Sequence, residues 1–186
     1  LQLVYNISRR GDLVLGYRQL VNPMNYSLND EKMNQVGDSK RDYFRLQFNY
    51  QALSWLKLQS RIEITKRNAP DKNLETGYLM YQGFQVKPVN KDLSLSFRYL
   101  LFDTDSYDTR LYAFEQDVPF SFSVPAFSGK GSRFYCMLSS AITRQISVML
   151  RFAQTFYSDR NIISSGPDEI SGNKKSDVKA VIKISF

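Results

Sequence analysis

Histidine is missing from all 186 residues. Its absence removes Ser–His and Cys–His nucleophiles, imidazole acid–base catalysis and His-containing zinc sites. The single cysteine, Cys136, can form neither an internal disulfide nor a thiolate cluster, so redox compartment is unreadable from it. It stands among Phe134, Leu138 and Ile142 and reads as a small buried apolar residue. Apolar runs are short and broken by Arg, Lys or Gln, and none approaches the roughly 20 residues that a helical membrane span needs. That does not exclude a membrane β-barrel, where only alternate residues face lipid. No initiator Met, charged leader or apolar signal core precedes "LQLVYNIS", so the chain reads as a mature or truncated piece, of one domain by length (1–186).

What the sequence does have is alternation. Leu1, Leu3, Tyr5 and Ile7 share a parity, as do Leu13, Leu15 and Tyr17 after "RRGD". Phe44, Leu46, Phe48 and Tyr50 are interleaved with Arg45, Gln47 and Asn49, and Leu93 to Leu101 with Ser94, Ser96 and Arg98. The same holds for Ile146, Val148, Leu150 and Phe152, and for Val178, Ala180, Ile182, Ile184 and Phe186 at the end. Period two throughout, with no helical period, predicts an all-β chain.

Short turns fall at "RRGD", "ALS", "NKD" and "TRQ", and long polar connections around 22–41, 67–76 and 158–176. An up-and-down meander keeps tight turns at one end. That rule survives past residue 117 if Asp117-Val118-Pro119 is a turn and "FSFSVPA" a strand. About eleven strands are then predicted: 1–8, 13–21, 43–52, 55–66, 77–88, 93–103, 108–116, 119–126, 132–142, 146–157 and 177–186. Many run ten to twelve residues, longer than soluble strands and close to a tilted membrane crossing. Tyr17, Tyr50, Trp55, Tyr78, Tyr99, Phe156 and Tyr157 lie near strand ends, where aromatic girdles form. The expectation is an up-and-down antiparallel transmembrane β-barrel, its last strand paired with its first so that no backbone edge meets hydrocarbon. An odd strand count with a periplasmic C-terminus calls for at least one further N-terminal strand.

The ending "VKAVIKISF" resembles the C-terminal assembly signal of Gram-negative outer-membrane proteins, although it has Ala180 where a larger residue is common. The resemblance implies delivery to the barrel-assembly machinery and an outer-membrane location. Over the last 80 residues or so, "YAFEQDVP", "SVPAFSGKGSRFY" and "SGPDEISGN" resemble the C-terminal part of a Bacteroidota outer-membrane β-barrel family. Its members often carry an N-terminal helix-hairpin-helix region. No such signature is present here, so DNA binding is carried to no residue.

Chemistry is sparse. "DTDSYD" (Asp103, Asp105, Asp108) lacks the Gly and Glu of a calcium loop and reads as a solvated turn. "SGKGS" lacks the spacing of a phosphate loop, and "SSGPDEISGNKK" reads as an internally paired loop. The polar parity offers Lys57, Arg61, Glu63, Arg98, Arg151, Lys179 and Lys183 to a lumen, either as ion pairs filling a narrow barrel or as an anion bias in a wider one. The net charge of +7 is spread over many strands. The leading expectation is a non-enzymatic barrel, without cofactor or metal, that acts as a channel or as a structural part of an envelope complex. Its partners would be outer-membrane lipid, the assembly machinery and other envelope proteins. A barrel for DNA binding or uptake and a soluble sandwich or lipocalin-like binder are the alternatives.

Overall fold

A computed structural model describes residues 1–26, 35–70, 72–122 and 124–185. Nine strands form one antiparallel sheet: β1 (Gln2–Ser8), β2 (Gly11–Tyr26), β3 (Gln35–Leu53), β4 (Leu56–Ala69), β5 (Lys72–Val86), β6 (Leu93–Thr104), β9 (Lys130–Ala141), β10 (Ile146–Tyr157) and β13 (Lys174–Ile184). Four two-residue strands make two small ladders outside it. β7 (Leu111–Tyr112) pairs with β8 (Ala126–Phe127), and β11 (Ile162–Ile163) pairs with β12 (Ile170–Ser171). Each strand of the large sheet lies beside its neighbour in the chain, except that β6 pairs directly with β9, past β7 and β8, and β10 with β13, past β11 and β12.

The strands expected at 108–116 and 119–126 are therefore not in the sheet, and its count is nine rather than eleven. The apolar rows of β6 and β9 are complementary, with Leu95 opposite Leu138, Phe97 opposite Cys136 and Tyr99 opposite Phe134. The intervening chain carries Glu115 and Asp117 and contains Pro119 and Pro125, which cannot donate to a ladder. Removing both strands keeps "TRQ" at the same end as the other tight turns, so the turn rule holds for a different reason. The connection expected at 67–76 is a tight hairpin, since β4 ends at Ala69 and β5 begins at Lys72. Most of 22–41 is strand; residues 27–34 lie outside the described ones. Among the described residues β1 and β13 are unpaired edges and no closed barrel forms, contrary to the expected pairing of last strand with first.

The sheet has two unlike faces. One exposes Leu15, Tyr17, Phe44, Leu46, Phe48, Ile62, Tyr78, Met80, Phe84, Tyr99, Leu101, Leu150, Phe152, Val178 and Ile182. The other buries Glu63, Thr65, Arg67, Ser96, Thr104, Arg133, Arg151 and Thr155, and the chain between β6 and β9 lies against it. Two apolar clusters anchor that segment. In the first, Leu111, Ala113 and Phe127 meet Tyr43, Leu79, Tyr81, Leu100 and Phe102. In the second, Val118 meets Tyr135, Met137 and Ala153. Cys136, expected to be buried, is only half-buried because its face is the uncovered one.

Candidate functional site: an ion-paired segment on the covered face

The chain leaves β6 through a short 3-10 turn, Tyr107–Thr109. Ser106 caps it, accepting from the Asp108 N–H at 3.2 Å, while Thr109 Oγ1 accepts from the Ser106 N–H at 3.3 Å. The turn then lies down on the sheet over Gly77, where a Cβ would stand 2.5 Å from the Thr109 carbonyl oxygen. From Leu111 to Glu115 the backbone is extended. Leu111, Ala113 and Glu115 point into the sheet, and Tyr112 and Phe114 point away.

At the centre is Glu115, only 1% exposed. Arg133 grips it with both arms, Nε to Oε1 at 2.7 Å and Nη2 to Oε2 at 2.9 Å. Arg151 Nη2 adds a third bond to Oε2 at 2.6 Å. The Arg151 side chain is wholly buried, and its Nη1 donates to Asp177 Oδ2 at 2.6 Å. Two positions further along the segment, Asp117 accepts from Lys179 Nζ at 2.7 Å and lies 3.6 Å from Arg151 Nε. Burial pushes the Asp117 carboxyl up, but the Lys179 bond, the Val118 N–H and the Arg151 and Lys179 charges outweigh it and hold it below the ordinary aspartate range. Bonds to uncharged acceptors complete the seam: Ser96 Oγ donates to Gln116 Oε1 at 2.7 Å, and the Arg98 guanidinium donates through Nη1 to the Phe114 carbonyl at 2.6 Å. β6, β9, β10 and β13 thus all hold the segment.

A second charged group sits toward the β2–β5 side. Arg45 forks onto Glu63 at 2.8 and 3.2 Å, and Arg61 lies 3.7 Å from the same carboxylate. Arg67 binds Glu75 at 2.8 Å and lies 3.6 Å from Asp108. The three carboxylates of "DTDSYD" diverge. Asp103 pairs with Lys130, Asp105 accepts from the Thr76 N–H and hydroxyl, and Asp108 turns to Arg41, Arg67 and Lys72.

The charged residues singled out in the sequence share the covered face. Glu63 and Arg151 are buried, Arg61, Arg98 and Lys179 half-buried, Lys57 and Lys183 exposed. Only Glu63, Arg61, Arg151 and Lys179 join carboxylate pairs among the described residues. Of the aromatics, Tyr17, Tyr50, Trp55, Tyr78, Tyr99 and Phe156 lie on the apolar face or at its rim. Tyr17 and Tyr78 fall in one cross-strand row, through Phe44 and Ile64. Tyr157 does not belong with them. It packs edge-on against Phe102 on the covered face, 5.7 Å between centroids. Val178, Ala180, Ile182 and Ile184 are exposed in one row of β13, and Phe186 lies outside the described residues.

Sequence reasoning missed Glu115, Asp117, Arg133 and Asp177, which make the most deeply buried charge cluster. A signal was present. "FEQDVP" places two carboxylates two residues apart between Phe114 and Val118, and "SRFYCM" places an arginine in step with buried Tyr135 and Met137.

No protein-family model and no curated protein matches this chain.

Proposed function

We propose that the sheet is part of an outer-membrane β-barrel whose apolar face meets lipid and whose lumen is filled by residues 105–129. One observation carries this reading: the chain is inside-out. Aromatic and aliphatic side chains cover the exposed face, while arginines and carboxylates are buried on the other. A water-soluble sheet buries its apolar face, whereas a membrane barrel turns it outward and keeps its polar face within. On β10 the row from Ile146 to Phe156, apolar except for Gln154 near its end, spans ten steps of roughly 3.3 Å. Tilted by about 40°, it covers close to the ~25 Å apolar band of such barrels. In hydrocarbon the unpaired backbones of β1 and β13 need partners, so we propose that further strands close the sheet. The protein then acts as a channel with its pathway occupied, without catalytic chemistry of its own. The C-terminal resemblance to outer-membrane assembly signals agrees with this assignment.

Trp55, the one tryptophan, stands in the β3–β4 turn at the rim of the apolar face. In reconstituted vesicles its fluorescence should be quenched by lipids brominated near the headgroup more than by lipids brominated at the chain ends. The protein should also stay with the membrane through high-salt and alkaline washes. Release into the aqueous phase, or Trp55 emission blind to both lipids, refutes the membrane reading.

A further inference from the structure

Arg98 is the guanidinium that the inserted segment leaves without a counter-charge. Its plane lies over the Tyr81 ring at 4.1 Å, Nη1 is taken by the Phe114 carbonyl, and Nη2 reaches Gln59 Oε1 at a long 3.4 Å. Its Nε is buried and makes no hydrogen bond to any described residue. Tyr135 is 3% exposed; the backbone N–H of Gln116 lies by its hydroxyl oxygen, while the hydroxyl's own proton has no acceptor among the described residues. Both side chains line one cavity of 240 Å³ on the tight-turn half of the covered face, together with Lys57, Gln59, Ser96 and Gln116. The lining holds two cations and no carboxylate.

These features belong together. A guanidinium partly removed from water without a counter-charge is unfavourable, and a buried hydroxyl proton without an acceptor is too. At several other cations on this face the protein supplies carboxylates. Arg133, Arg151 and Lys179 receive them from the segment, and Arg45 receives Glu63. At Arg98 it supplies a cavity with room for about eight waters at roughly 30 Å³ each. We propose that this cavity is a binding site for a small oxyanion, a phosphate or a carboxylate. Arg98 is its anchoring cation, the Tyr135 hydroxyl its neutral donor, and Lys57 a mobile second cation at the mouth. Planar, multiply donating guanidinium is suited to oxyanions over spherical ions. The site follows from the geometry of the cavity and does not depend on whether the sheet spans a bilayer.

Calorimetric titration of the full-length protein in detergent, with inorganic phosphate in one arm and succinate in the other, tests it. Saturable binding in either arm is expected, and the arm that responds names the source. Chloride at equal ionic strength should compete weakly. Arg98→Gln should weaken binding about tenfold or more, and Tyr135→Phe several-fold, as expected for charged and neutral hydrogen bonds respectively. Arg98 also holds the Phe114 carbonyl, so Tyr135→Phe, which keeps the ring packed against Val118 and gives up only the contact of its oxygen with the Gln116 N–H, is the milder probe of the two. No saturable binding in either arm overturns the proposal, as does binding that both variants leave unchanged.

Discussion

At the scale of single residues, the energetics turn on how thoroughly each charge is removed from water. Glu115 faces Arg133 and Arg151 with its side chain 1% exposed, and those of the two arginines are 9% and 0% exposed. Replacing one member of such a buried set strands the others and typically costs about 3–5 kcal/mol. Glu115→Gln keeps the shape and removes the charge, and should lower the guanidinium chloride midpoint in detergent, read by Trp55 fluorescence. The exposed Lys130–Asp103 pair, 2.9 Å apart with both side chains more than half exposed, is the contrast. Asp103→Asn should cost under about 1 kcal/mol, because solvent already screens that pair. Asp117 makes the pH prediction. Its carboxyl is held below the ordinary range, so the stability it contributes is fully present above the unfolded-state value near pH 4. That stability is lost only as pH falls through the still lower folded value. The midpoint should therefore be flat from about pH 7 to 5 and drop below about pH 4, and Asp117→Asn should flatten the acid drop. An unchanged acid limb in that variant would place the titrating group elsewhere.

Among the elements, the strands of the large sheet were legible wherever one face is apolar and the other polar. Two classes were not. β2 and β3 extend to Tyr26 and back from Gln35 through residues such as Arg18, Asn22, Asp38 and Lys40. Mixed polar sequence on both faces leaves no alternation to read, because water contacts both sides of that stretch. Residues 108–116 fail for the opposite reason. An extended chain lying on a sheet also alternates, and Leu111, Ala113 and Glu115 go inward as regularly as any strand residue. Period two reports extended backbone beside a surface, not membership of a ladder. What distinguished the segment was chemical: carboxylates on its inward side, matched to arginines on strands far off in sequence. Its geometry requires Gly77, where a side chain would press on the Thr109 carbonyl and on the methyl groups of Thr65 and Thr104. Gly77→Ala should push the start of the segment off the sheet and cost about 1–3 kcal/mol. Amide hydrogen exchange should rise at 107–113 while β4 and β5 stay protected; uniform loss of protection would mean the glycine serves the sheet instead.

For the whole molecule, surface area sets the terms. The accessible surface is 12382 Å², against about 9,200 Å² for a compact soluble chain of this mass. The excess is largely one uncovered apolar face and two open edges, which water does not tolerate and lipid with further strands does. In the proposed barrel, the inserted segment would be the element that decides whether the lumen conducts. It brings Asp105, Asp108, Glu115 and Asp117 against a single cation, Arg110. The strands beneath it present Arg98, Arg133, Arg151, Lys179 and Lys183, with Asp177 the carboxylate contributed by β13. Taking the segment away should do two things at once: open a path, and leave its wall basic. A variant of the intact protein in which 106–128 is replaced by a short Gly-Ser linker should conduct several-fold more than wild type in planar bilayers, and under a salt gradient its reversal potential should shift toward the anion side. Glu115→Gln should open more often while keeping a selectivity close to wild type, because Asp117 and the rest of the segment remain. Equal conductance in wild type and the linker variant would mean that the segment lies beside the pathway rather than in it.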